Sequence, residues 1–192
     1  MKSKQYIIAF LGEKGSGKGT SIDFLEKIIK SKSISRIRFS DALRQVSTLY
    51  DIPMTRTNLQ NLAIFLTKYF GDDTISRPVK NSINQALKNG VKYIFVDGMR
   101  WDSDYDLIRS YKNSKIIHIS TPKEIRYTRL ANRNENAGEK NMSYKQFSKE
   151  EKRKNELNIL KLAKKADIVI DNSGTKEDLI LEIKKKIIPL FK

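Results

Sequence analysis

Residues 12–20 read Gly-Glu-Lys-Gly-Ser-Gly-Lys-Gly-Thr, and residue types at that spacing prescribe chemistry. Glycines let the chain turn so that successive backbone N–H groups point into one hollow, and Lys18 adds a cation there. Such a hollow binds phosphate. The segment follows the apolar run 6–11 and precedes a helical pattern in which Ile22, Leu25, Ile28 and Ile29 share a face. A helix N-terminus therefore opens on the same hollow and favours an anion. Strand, glycine loop, lysine and helix read as a P-loop, with Gly12, Gly15, Ser16, Gly17, Lys18, Gly19 and Thr20 as its nucleotide-binding residues. Thr20 either caps the helix or reaches a phosphate. Gly19 stands where the usual motif carries a Ser or Thr for magnesium, so the metal here relies more on phosphate oxygens and water.

Further groups could act beside this cradle. Asp97 ends the apolar run 91–96, where a carboxylate can hold magnesium waters, and Arg100 follows three residues on. Asp41 follows the run that ends at Phe39, and is either a helix cap with Ser40 or a site carboxylate. Arg44 and Arg100 would face each other across one edge. Two arginines opposite a P-loop imply a second phosphate to clamp, which means an acceptor. Arg126, Arg129 and Arg133 fall three and four residues apart, on one helical face, where like charges call for an anionic partner such as a transferring phosphoryl group. Arg153 is a further candidate for that cluster. His118, the sole histidine, sits within the apolar run 116–119 and reads as a strand residue rather than a base. Trp101, Tyr105 and Ile108 share a helical face and read as core.

The elements that must position these residues alternate along the chain. Strand-like runs fall near 5–11, 34–39, 91–97, 115–120 and 166–171. Helical patterns fall near 18–32, 41–51, 57–70, 75–90, 102–112, 123–133, 143–165 and 175–191. Strands separated by helices predict an α/β fold with a parallel sheet covered on both faces. Ligands of such sheets bind outside the carboxyl ends of the strands. The P-loop, Ser40–Arg44, Asp97–Arg100, Ser120–Pro122 and Asp171–Thr175 all follow strands, so cradle, carboxylates and arginines would meet on one edge. Residues 40–90 contain helices but no strand and read as an insertion, and the polar stretch 134–148 reads as a lid. With no linker or repeat, residues 1–192 are expected to form one domain.

Composition narrows the class. The chain of 192 residues can bury a real core, and no apolar stretch reaches the roughly 18 residues needed to span a membrane. The chain has no cysteine, which excludes disulfides, thiolate metal sites and cysteine nucleophiles. Residues 1–4 run into the first strand without a signal-peptide pattern, and the expected location is cytoplasmic. The net charge of +16 invites a nucleic-acid partner, yet 27 lysines against 11 arginines lie scattered through Ile- and Asn-rich sequence. That pattern reads as compositional bias. No interleaving of aromatic and basic residues appears, so nucleic acid is not the expected partner.

The motifs Gly15–Thr20, Ser40–Arg44, Asp97-Gly98-Met99-Arg100 and Arg129-Leu130-Ala131-Asn132-Arg133 resemble, in this order, those of the P-loop nucleoside monophosphate kinases, the adenylate kinase group. The likeness is greatest to its archaeal-type adenylate-kinase-like or dephospho-CoA-kinase-like branch, which shares the Ala166-Asp167 strand and the Asn172-Ser173-Gly174-Thr175 turn. The resemblance implies a three-layer P-loop fold: a five-stranded parallel sheet ordered 2-3-1-4-5, with a helical acceptor-binding insertion and a lid. It implies that Lys18 binds the phosphates of ATP and that Arg44 and Arg100 hold the acceptor phosphate. Arg129 and Arg133 would contact the nucleotide and the transferring phosphoryl group. Asp97 and Asp41 would hold magnesium waters, with Asp41 also at the acceptor, and Asn172 and Gly174 would lie against the adenine. The expected activity is transfer of the γ-phosphoryl of Mg-ATP to a nucleoside or deoxynucleoside monophosphate, by a monomer or homodimer. The alternatives are transfer to a hydroxyl, with Asp41 as base, and a P-loop ATPase switch acting on RNA or ribonucleoprotein. Two departures touch the acceptor side: Met99 alone replaces Phe-Pro, and Phe39-Ser40 replaces Thr-Gly.

Overall fold

The apolar run Tyr6–Leu11 forms strand β1, and all six of its residues are buried. A strand buried on both faces belongs inside a covered sheet. The computed structural model, which describes residues 4–132, 143–152 and 154–191, has it there. Strands β2 (Ile34–Arg38), β3 (Tyr93–Asp97), β4 (Ser114–Ser120) and β5 (Ile168–Asp171) complete a five-stranded parallel sheet in the order β2-β3-β1-β4-β5. This is the expected order. The register sets Asp97 beside both Phe10 and Arg38, and Leu11 beside His118. The carboxyl ends of β2, β3, β1 and β4 therefore come level along one edge.

Helices cover both faces: α1 (Lys18–Ile29), α2 (Asp41–Leu49), α3 (Arg56–Phe70), α4 (Ser76–Lys88), α5 (Asp102–Arg109), α6 (Lys123–Ala131), α7 (Tyr144–Glu151), α8 (Lys154–Ala163) and α9 (Lys176–Lys186). On one face Ile8, Phe10 and Phe95 pack with Leu25 of α1 and Ile183 of α9. On the other, Ile7, Ala9 and Val96 pack with Leu43 of α2, Ile83 of α4, Ile108 of α5 and Leu162 of α8. Each fully buried aliphatic or aromatic side chain contributes about 1.5–3 kcal/mol, so these two layers fix the height of the edge that carries the loops. Between β2 and β3 the chain runs only through helices. There α2 packs on α3, while α4 lies against β2 and α5.

Three sequence expectations need correction. The single helix expected over 143–165 is two, α7 and α8, with Lys152 as the C-cap of the first. Phe147 of α7 packs on Tyr127 of α6, whereas Ile159 and Leu162 of α8 join the sheet core, and a break lets each face reach its own partner. The last helix stops at Lys186 and continues as a 3-10 turn, Ile188–Phe191, around Pro189, which has no N–H to donate. Trp101 is not core: it is the extended N-cap residue of α5, outside the helical period that buries Ile108. Of the expected lid, residues 134–142 lie outside the described residues. Ser143 caps α7 by accepting from the Gln146 N–H. Among the described residues no helix is long and apolar enough to cross a membrane.

Candidate functional site

Two glycines shape the loop between β1 and α1. Gly15 and Gly17 adopt φ of +78° and +92°. A Cβ on Gly15 would come 2.7 Å from the Arg126 carbonyl, and one on Gly17 would strike the Asn172 amide. No larger residue fits either place. Gly17 is the N-cap of α1 and no side chain caps it, so the positive end of the helix opens on the loop. Thr20 lies in the first turn of α1 and is not its cap. Lys18 folds back over the loop, its Nζ donating to the carbonyls of Gly12 at 2.8 Å and Glu13 at 3.2 Å.

The ends of β4 and β5 hold this loop from beneath. The Thr121 hydroxyl and the Asn172 amide, both on buried residues, donate to the Ser16 carbonyl at 3.0 and 2.7 Å. Arg129 donates in turn to the carbonyls of Asn172 at 2.9 Å and Gly174 at 3.2 Å. The turn at 172–174 and Arg129 are thus brought to the P-loop. Arg133 and Arg153 lie outside the described residues.

Arg126 departs from its expected role. It is buried and makes a bidentate pair with Glu151 of α7 at 2.6 and 2.7 Å, with Glu13 3.5 Å away. It also donates to the Lys14 carbonyl at 3.2 Å, so its anions are the protein's own. Burial would raise the Glu13 carboxyl. The His118 ring 3.7 Å away and the Arg126 guanidinium overcome this and hold it below the usual range. His118 is a strand residue, as expected, but one that faces the P-loop. Glu13, Thr121 and Glu151 carried no signal in the sequence that set them apart from other polar residues.

Two carboxylates stand at the ends of β2 and β3. Asp97 sits beside Phe10, one pair short of the P-loop, and its buried Oδ1 has no hydrogen-bond partner among the described residues. A carboxylate oxygen left without a donor next to a phosphate cradle fits a hydrated cation. Asp41 opens α2 and accepts from the Arg38 N–H through Oδ2 at 2.9 Å, so it acts on the backbone at the end of β2.

Beyond these strand ends lies a cavity of about 170 Å³. Arg44 and Arg100 both line it. Its apolar walls come from Leu43, Leu59, Ala63, Ile64, Ile75 and Trp101. That volume exceeds the roughly 150 Å³ that holds a benzene ring. The Arg44 Nε is buried without a partner among the described residues, and Arg100 pairs with buried Glu156 at 2.7 Å. The cavity also holds Asp104, which sequence reading passed over. Its Oδ2 accepts from the Arg100 and Trp101 N–H groups at 2.8 and 3.0 Å. Burial pushes this carboxyl up to about 7, against the pull of those two donors and of the Arg100 charge. The one available signal was an acid four residues after Arg100, which reads as an ordinary first-turn acid of α5.

No protein-family model matches the chain. It is similar to the UPF0200 protein MMP1282 of Methanococcus maripaludis, 24% identical over 185 residues that cover 95% of this chain and 97% of the relative. The UPF0200 protein TK1334 of Thermococcus kodakarensis is 22% identical over 184 residues, 94% of this chain and 96% of the relative. Among solved structures, a sugar kinase from Janibacter matches with a TM-score of 0.56 at 16% identity, over 98% of each chain. The shikimate kinase of Acinetobacter baumannii, solved with shikimate, matches with a TM-score of 0.54 at 14% identity, over 96% of this chain and 94% of that one. At such identities the likeness is one of fold. The chain has the fold of the P-loop kinases.

Proposed function

We propose that the protein is an ATP-dependent phosphotransferase of the adenylate-kinase-like type, acting on a nucleoside or deoxynucleoside monophosphate. The observation that carries this reading is the cavity lined by Arg44 and Arg100, at the ends of the strands beside the P-loop. A nucleotide site alone needs no second cationic pocket; an anionic acceptor does. When bound, Mg-ATP supplies the transferable phosphoryl group and a metal that screens its charge. The glycine loop and α1 N-terminus would hold its phosphates, with Lys18 released from its own loop carbonyls to meet them. Asp97, and Asp41 beside it, would hold the metal through water. Asn172 and Gly174 would lie against the adenine. Arg44 and Arg100 orient the acceptor's phosphate, and Arg129 with Arg133 stabilises the charge that builds during transfer. A monophosphate arrives ionised, so no general base is required.

The names of the structural neighbours, a sugar kinase and a shikimate kinase, favour a second reading in which the acceptor offers a hydroxyl. Asp41 is then the candidate base. Incubation with Mg-ATP and AMP, GMP, CMP, UMP, their deoxy forms, dTMP or dephospho-CoA, with ADP formation as readout, separates the two. Turnover that depends on one monophosphate is the expected result. Turnover only with dephospho-CoA moves the assignment to hydroxyl transfer, and ADP formation that no acceptor stimulates removes both.

A further inference from the structure

The acceptor cavity carries charges of both signs. Arg44 and Arg100 supply cations, whereas Asp104 supplies a carboxylate that is 1% exposed. One of its oxygens is spent on the backbone: Oδ2 takes both the Arg100 and the Trp101 N–H. The other, Oδ1, is buried and accepts nothing among the described residues. Leaving such an atom unsatisfied is destabilising, and more so when the group is charged. A structural cap of α5 needs only Oδ2. The second oxygen is then either a standing penalty or half of a contact completed by a ligand.

We propose that Asp104 selects the acceptor, its Oδ1 taking a hydrogen bond from an exocyclic amino group on the ring seated in the cavity. The inference rests on the nucleoside-monophosphate reading above and names which bases that site takes: amino-bearing ones over their oxo counterparts. The charges set the orientation. A phosphate is drawn to Arg44 and Arg100 and repelled by Asp104, so the opposite end of the acceptor meets the carboxylate. Between them the apolar walls of Leu59, Ala63 and Trp101 suit a flat ring. An amino group projects from the ring edge, and a small shift of the wall would uncover Oδ1, which is fully covered in this structure, to meet it. A ring N–H flanked by a carbonyl cannot do so without turning that carbonyl's lone pairs toward the same carboxylate.

The test exploits a substitution that inverts polarity at nearly constant shape. In Asp104→Asn the amide oxygen can still accept from the two backbone N–H groups, while an NH₂ donor replaces Oδ1. Calorimetric titrations of AMP, IMP, CMP and UMP into the full chain, without ATP and at pH 8, read binding independently of transfer. The expected result is that the unsubstituted protein binds AMP over IMP, and CMP over UMP, by about tenfold or more, as one charge-assisted hydrogen bond provides. In Asp104→Asn both ratios should fall to about one or invert. Equal affinities within each pair, no binding of any of the four, or an undiminished preference in the variant overturns the proposal. Should the variant not fold, purine riboside 5′-monophosphate, which lacks only the amino group of AMP, replaces it. Loss of tenfold or more against AMP supports the contact, and equal binding overturns it. Amino-selective binding without any acceptor-dependent ADP formation would remove the kinase reading and leave Asp104 in place. Turnover confined to an acceptor with no amino group would do the reverse.

Discussion

Lys18 and Asp104 are both tied to backbone groups, and what each does for stability can be separated from what it does for ligands. Lys18 is half-buried and donates to the loop carbonyls of Gly12 and Glu13, so its truncation removes a cation without opening the core. Lys18→Ala should lower turnover by about 10²-fold or more with little change in melting temperature, as loss of a transition-state charge contact does. Activity near normal would remove the P-loop assignment. For Asp104 burial lifts the folded carboxyl to about 7, above the ordinary 3.8 of an aspartate. Below 3.8 folded and unfolded chains are both protonated, and the relative stability is fully present. As pH rises, the unfolded chain ionises first, so stability falls until the folded carboxyl ionises near 7 and then levels. Asp104→Asn abolishes this dependence. The melting temperature of the variant relative to the parent should therefore climb from pH 5 to about 7 and level above it. A flat difference would mean that Asp104 is ionised throughout.

At the level of elements, α7 is fastened to the P-loop by a charged clasp: Arg126 with Glu151, and Lys14 with Glu150. Glu151→Gln removes the bidentate partner of a buried guanidinium and leaves Glu13 and Glu156 as its counter-charges among the described residues, a loss on the order of 3 kcal/mol. Denaturant melts should register that loss, whereas Asp73→Asn, in the exposed pair with Arg77, should leave the curve in place. Equal, small effects would show that the clasp does not bear on stability. This clasp also marks the limit of what the chain reveals unaided. Strands such as 6–11 were legible because burial on both faces writes an unbroken apolar run, and the P-loop because its glycines answer to backbone geometry. The pairing of Arg44 with Arg100 followed from strand order. Arg126 misled because its spacing from Arg129 specifies a shared helical face, not whether Glu151 of α7 or a ligand meets it. The break near 152 and the place of Trp101 likewise depend on what packs against them. Asp104 was hidden for the same reason: a first-turn acid looks alike whether its second oxygen meets water or a cavity.

For the molecule as a whole, the net charge of +16 acts over distance in a way no single contact does. A field of that size attracts every polyanion, nucleotides and nucleic acid alike, and raises encounter rates without reading structure. Salt separates the two effects. The Debye length falls from about 10 Å at 0.1 M to about 3 Å at 1 M, which removes long-range attraction but scarcely touches a contact inside a cavity. Raising NaCl from 50 to 500 mM should therefore increase the KM of an anionic acceptor several-fold, while the AMP-to-IMP preference stays constant. The same series on single-stranded RNA tells attraction from recognition. Binding that rests on phosphate neutralisation loses log K with log salt at about 0.7 per phosphate contacted. Adventitious attachment by scattered lysines should be weak and gone by about 0.2 M salt, with no competition from the acceptor. Tight RNA binding that survives 0.2 M and is modulated by ATP would be incompatible with a small-molecule kinase alone, and would give the positive surface a purpose that the cavity does not.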